Sequence, residues 1–281
     1  MNAIENNCVP LFYFFNCILL PTRIFTSPAL IFTLSGLIGQ LTFVSSKLKN
    51  MKTTLHKAET RGHANHGWLD THHTFSFANY YHPDRISFGK LRVLNDDIVA
   101  PGMGFGKHPH DNMEIISIPI KGSLMHEDSM GHRQVIGEDE VQVMSAGSGI
   151  FHSEFNASKT ETVNFLQIWI FPEKKNVTPV YDQQKFEKTA AVNHWQVLVD
   201  EQNGPLRLNQ QATISRLFLD AGKTIDYKMK NPERKSYVFV INGEVETEGI
   251  QLAERDGLGF EDLSEFRITA HTNSFLLNIE V

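Results

Sequence analysis

From Met51 to the C-terminus the apolar residues come in short runs, and each run is closed by Gly, Pro, Asn or Asp. The segments GKLRVLNDDIVAPGMGFG, MEIISIPIKGSLMHEDSMG and VQVMSAGSG show the habit early, and SRLFLDAGK, KSYVFVINGEVETEG and FRITAHTNSFLLNIEV repeat it late. Few stretches hold a 3.6-residue apolar period for long. Alternating or β-branched segments between turn signals at this spacing predict an all-β chain of sandwiches or barrels. With 281 residues there is room for one large domain or two small ones.

The two halves share a pattern. Setting Gly122 on Gly243 aligns EIISIPIKGSL with KSYVFVINGEV, a strand closed by a turn glycine in both cases. In the same alignment His108, His110 and Glu114 fall on Met229, Asn231 and Lys235, so the second half keeps the strand and loses the polar groups. Two similar barrels are expected, 51–172 and 173–281, joined through FPEKKNVTPVYDQQKF, where Pro172 and Pro179 interrupt the strands. Any site belongs to the first barrel.

Positions 1–50 are a separate matter. Their only charges are Glu5, Arg23, Lys47 and Lys49, and the run from Ile24 to Val44 has none, which is long enough to span a bilayer. No basic region precedes the first apolar run, as a secretory signal requires, and Pro10, Pro21 and Pro28 break any single long helix. The expectation is an apolar extension outside the native fold, with Met51 as the true start. A targeting segment or a membrane anchor is the alternative, and membrane contact is expected only if these residues are genuine. Both cysteines, Cys8 and Cys17, lie here, so neither a disulfide framework nor a thiolate metal site holds the rest, which fits the cytoplasm. A net charge of −6 with no dense Lys/Arg run gives no reason to expect nucleic acid as a direct partner.

All 13 histidines lie after position 50, and 11 of them fall between His56 and His152. Two pairs stand out. His108 and His110, in KHPHDNMEI, are two residues apart, as are His152 and Glu154 in GIFHSEFN. Residues i and i+2 of a strand project from one face, so two such strands facing each other converge four ligand groups on one point. Imidazole and carboxylate without thiolate suit iron or manganese better than a structural zinc, with nickel, copper, cobalt and zinc as further choices. Pro109 places its strand at an edge or bend, and Gly102, Gly104 and Gly106 allow a sharp turn into it. Glu114 shares strand parity with His108 and His110, and spacing alone does not choose between it and Glu154. A lone His-x-His pair would more often be a satisfied buried polar group; two complementary pairs favour the metal. GMGFG lacks the third glycine of a dinucleotide loop and leads into His-Pro-His rather than a helix.

GMGFGKHPHDNME is similar to the first cupin motif and GSGIFHSEFN to the second. RGHANHGWLDTHHTFSFANYY, LRVLNDDIVAPGMGFGKHPH and MSAGSGIFHSEFN resemble, more narrowly, the pirin branch of the cupins. The likeness begins at Met51 and weakens in the second half. It implies two tandem double-stranded β-helix barrels with iron in the first only, held by His108, His110, His152 and Glu154. Glu114 then becomes a partner behind the ligands. The resemblance also implies a quercetin 2,3-dioxygenase-like oxidoreductase: a divalent ion, Fe(II), an aromatic or polyphenol substrate, and O2, with Glu154 alternating between ligand and proton acceptor. Trp68 and Phe77 are the first candidates for an apolar slot around that substrate. The alternative is a non-catalytic iron-binding regulatory module read by a protein partner.

Overall fold

The computed structural model describes residues 51–281, so the reading of positions 1–50 lies outside the described residues. Strands dominate. Helical backbone among the described residues amounts to two single 3-10 turns, Ala58–Thr60 and Lys188–Ala191, and no helix there is long and apolar enough to cross a membrane.

Each half is a pair of facing antiparallel sheets. The first half has a seven-stranded sheet in the order Val180–Lys185, Glu140–Ser145, Glu114–Lys121, Val163–Ile170, Leu91–Val99, Leu69–His73, Gly62–Asn65. Against it stands a four-stranded sheet in the order Gly104–His110, Ile150–Asn156, Leu124–Asp128, Arg133–Ile136. The second half repeats the plan. Its six-stranded sheet runs Lys52–His56, Gly257–Glu261, Ser236–Asn242, Ser274–Glu280, Thr213–Leu219, Gln196–Asp200, facing Thr224–Lys228, Glu265–Ala270, Val245–Thr247, Ile250–Leu252. The expected two-barrel architecture is therefore present. Strands Glu114–Lys121 and Ser236–Asn242 occupy equivalent places and end at Gly122 (φ 78°) and Gly243 (φ 94°), a conformation that excludes most side chains.

Pro119 sits inside a central strand, where a proline ordinarily forfeits a ladder bond. Here the ladder with the neighbouring strand Glu140–Ser145 runs only from Glu114 to Ser117, so the pairing has stopped before Pro119 is reached.

Chain order and sheet membership differ at two places. Lys52–His56 crosses to the second half and pairs with Gly257–Glu261, while Val180–Lys185 returns to the first and pairs with Glu140–Ser145. These two partners are equivalent edges, and a strand from the other half covers the open backbone of each. A cut at 172/173 thus does not separate two self-contained sheets.

The largest apolar cluster lies between the halves rather than inside either. Ile116, Ile118 and Ile168 of the seven-stranded sheet pack in it with Phe239, Ile241 and Leu277 of the six-stranded sheet. The second barrel's own interior is one continuous apolar cluster, with Val238, Phe260, Phe266 and Leu276 among its members. The first barrel's interior is divided into two small ones, around Phe165 and around Ile115. Buried polar residues of the same barrel, Ser117, Gln142, His126, His152 and Glu154 among them, belong to neither cluster.

Candidate metal centre and cavity

Strand Gly104–His110 is the edge of its sheet, so the missing N–H of Pro109 costs it little. It pairs with Ile150–Asn156 so that His152 stands opposite His108 and Ile150 opposite His110. The three imidazoles meet: ring centroids are 4.4 Å apart for His108–His152, 4.8 Å for His110–His152 and 4.9 Å for His108–His110. His108 Nδ1–H donates to the Gly106 carbonyl at 2.7 Å, which leaves its Nε2 as the available lone pair. His152 is buried, and its Nε2 has no hydrogen-bond partner. Burial, and then the charges of His108 and His110, push the His152 pKa down to about 2. Burial followed by His108 takes His110 down to about 4. Neutral imidazoles at neutral pH, one with an orphaned buried nitrogen, are what a transition ion takes as ligands.

Glu154 follows His152 on the same face and is buried. Gln167 Nε2 donates to its Oε2 at 2.7 Å, and Ser117 Oγ lies 3.0 Å from its Oε1. Burial raises its pKa to about 7 against the lowering effect of those two bonds. The donor atoms of His108, His110 and His152 all lie within 4.8 Å of one another, and so do those of His126, His152 and Glu154. The four expected ligands therefore fall in two overlapping groups joined at His152.

Glu114 is elsewhere, and the parity argument that linked it to the histidines does not hold. The strand breaks at Asn112 (φ 47°), and Glu114 opens the next one. There it alternates with Ser117: Glu114, Ile116 and Ile118 share the face toward the second barrel, whereas Ser117 meets Glu154. Its carboxylate accepts the Ser145 hydroxyl and, at 3.0 Å, the backbone N–H of Asn209.

A cavity of about 450 Å³ opens onto this cluster, within the range that small-molecule sites occupy. His108, His110 and Glu154 form one part of its lining, and Trp68, Phe77, Phe105 and Trp169 supply the aromatic part. Trp169 stands edge-on to both His110 (4.9 Å) and Phe77 (5.3 Å), while Trp68 stands edge-on to Phe105 (5.4 Å). Asp97, a second buried carboxylate, also lines it; Thr71 donates to one of its oxygens, and burial pushes its pKa up to about 7.

The chain is similar to known proteins over most of its described length. The pirin profile matches residues 54–170, and that of the quercetinase C-terminal cupin domain matches 198–281. The quercetin 2,3-dioxygenase of Escherichia coli K12 is 42% identical over 225 residues, covering 79% of this chain and 96% of the relative. The chain belongs to the pirin family. A pirin-like protein of Caulobacter vibrioides is 37% identical over 222 residues, covering 78% of this chain and 95% of that one. Among solved structures, the bacterial pirin YhhW from Escherichia coli in complex with nickel(II) superposes with a TM-score of 0.77 at 40% identity, covering 82% of this chain and 99% of that one.

Several residues of this pirin's site escaped the sequence reading. Asn95 and Asp97 sit in LRVLNDDIV, where polar residues interrupt an apolar central strand; that interruption was the available signal. Neighbouring Asp96 points the other way, to Arg61 at 3.6 Å and Arg255 at 3.2 Å. Behind His152, His126 Nδ1 approaches its Nδ1 at 3.5 Å, and His126 Nε2 lies 3.1 Å from Asp128, which also holds His132 at 2.9 Å. Burial acts to raise the Asp128 pKa, but the bonds from His126 and His132 outweigh it and hold the carboxyl low. Gln167, Ser117, Phe105 and Trp169 gave no local signal, since each is an ordinary strand residue until its partner strand is known.

Proposed function

We propose that this pirin is a metal-dependent dioxygenase that opens the ring of quercetin-like flavonols with O2. In this reading His108, His110, His152 and Glu154 hold a single ion within the barrels, and that ion is Fe(II). The observation that carries it is the meeting of three imidazoles, with the buried carboxylate of Glu154 two residues beyond His152, at an aromatic cavity lined by His108, His110 and Glu154. Nitrogen and oxygen donors without thiolate suit iron, manganese, nickel or copper, and the nickel complex of YhhW supports a transition ion without choosing among them. The apolar interior of the second barrel supports confining the ion to the first.

Once bound, the ion would supply a Lewis acid and an electron path that brings substrate oxygen and dioxygen side by side. The chain's own residues do the remaining work. Trp68, Phe77, Phe105 and Trp169 take up a flat polyphenol and exclude water from its faces. Gln167 and Ser117 fix the Glu154 carboxylate, which receives the proton of the flavonol 3-hydroxyl. Asp97 and Asn95 offer hydrogen-bonding groups to the other hydroxyls.

The test loads the metal-free chain with Fe(II) under anaerobic conditions, mixes it with quercetin and O2, and follows flavonol loss and carbon monoxide. A His108→Ala, His152→Ala double variant is the control. Metal-dependent turnover with carbon monoxide supports the dioxygenase. Tight metal binding without turnover would overturn it in favour of an iron-binding regulatory module.

A further inference from the structure

We infer that His63, Asp70 and His72 form a second site for a divalent transition ion, on the outer surface of the first barrel and separate from the cavity. The hairpin Gly62–Asn65/Leu69–His73 pairs His63 with His72 and Asn65 with Asp70. The two imidazoles face each other with centroids 4.4 Å apart and planes 16° from parallel. His63 Nε2 lies 2.8 Å and His72 Nδ1 3.9 Å from the same oxygen, Asp70 Oδ1. Asn65 Nδ2 donates to the other oxygen of that carboxylate at 3.1 Å, so Oδ1 is turned toward the imidazoles.

These three donor atoms lie within 4.8 Å of one another, and their side chains are 52%, 37% and 37% exposed, open to an ion arriving from solvent. Strand alternation keeps the cluster off the cavity: Thr71, between Asp70 and His72, faces inward and donates to Asp97. Two nitrogens and one carboxylate oxygen, with the remaining positions left to water, match Zn(II), Cu(II) or Ni(II). A carboxylate already oriented by a neighbouring amide is the support that a ligand needs from behind.

The site has a structural consequence. The two strands it bridges are joined by a turn in which Gly67 (φ 81°) precedes Trp68, and Trp68 lines the cavity against Phe105. An ion across the strands ties down the hairpin that presents Trp68.

The experiment is equilibrium dialysis of the metal-stripped full chain against Cu(II), with the equivalents counted by elemental analysis and the copper environments read by electron paramagnetic resonance. Wild type should bind one more equivalent, with a second set of signals, than the His63→Gln, His72→Gln double variant. Asp70→Asn should weaken that equivalent about tenfold, the equivalent of about 1.4 kcal/mol. The His108→Ala, His152→Ala variant should retain it, which separates failure at this site from failure at the cavity. If the His63/His72 double variant binds the same number of ions with the same spectra as wild type, the inference is wrong. If Asp70→Asn alone is without effect, the three-residue site is likewise overturned. The side chains of His63, Asp70 and His72 are partly exposed, and a melting temperature unchanged in the absence of metal shows that their variants are folded.

Discussion

Phe105, not Gly106, stands opposite Glu154, because the strand Gly104–His110 carries an extra residue between His108 and Phe105. That bulge reverses the alternation. His108 and His110 face the cavity, and so does Phe105 three residues earlier, where a regular strand would have turned it out. The irregularity thus places an aromatic wall beside the carboxylate.

Truncating that wall should weaken substrate binding more than it slows chemistry. Phe105→Ala or Trp68→Ala each removes a ring worth about 1.5–3 kcal/mol of burial. The expected outcome is a quercetin KM about 10- to 100-fold higher, with kcat changed far less. Steady-state kinetics of the Fe(II)-loaded variants check it, and an unchanged KM would remove these rings from the substrate site.

The clamp on Glu154 makes a second prediction. Gln167→Leu leaves a buried carboxylate oxygen without its 2.7 Å donor. Supporting bonds of this kind are typically worth about 10- to 100-fold in metal affinity. Competition against a chromophoric chelator should show that loss in Gln167→Leu, whereas Glu114→Gln, on the opposite face of its strand, should bind metal like wild type.

Gly104 and Gly106 should behave differently although only one residue separates them. A Cβ at Gly104 would lie 2.2 Å from the Glu154 carbonyl oxygen and 2.5 Å from the Phe155 Cα, both backbone atoms that cannot swing away. A Cβ at Gly106 meets nothing within 4 Å. Gly104→Ala should lower stability by about 3 kcal/mol or more by forcing the strands apart, and Gly106→Ala should stay within about 0.5 kcal/mol. Denaturant unfolding of the two variants decides it.

Asp97 gives a pH signature in metal-free protein. Its folded pKa, raised by burial to about 7, lies above the ordinary carboxylate value, so the folded state binds the extra proton between the two. Its contribution is fully present below about pH 4 and is lost as pH rises toward 7. Asp97→Asn removes this dependence. The melting temperature of the variant relative to wild type should therefore climb from pH 4 to pH 8, whereas the depressed histidines, present in both proteins, cancel in the comparison. A flat difference would mean that the carboxylate is not desolvated.

What the sequence disclosed followed from local rules. Period-two alternation and turn glycines were enough for an all-β chain of two repeats, because both are written within a few residues of themselves. His108 and His110 were legible for the same reason. Glu114 misled because parity holds only within one unbroken strand, and Asn112 breaks it. The grouping of Ser117 and Gln167 around Glu154 depends on how three strands lie across one another, which no short stretch records. Asp97 lay between these extremes, since two adjacent aspartates in an apolar strand pose a burial problem even before their partners are known.

The crossing of Lys52–His56 into the far sheet bears on how the protein is made. Leu55 pairs with Leu258, so the first of the described strands to leave the ribosome finds its neighbour only once Leu258 has been made. At about 5–20 residues per second that wait is roughly 10–40 s, during which a strand-forming segment has no native partner. The first barrel can gather its own strands while the chain is still growing. The second closes after the first, around a segment made before any strand of the first barrel.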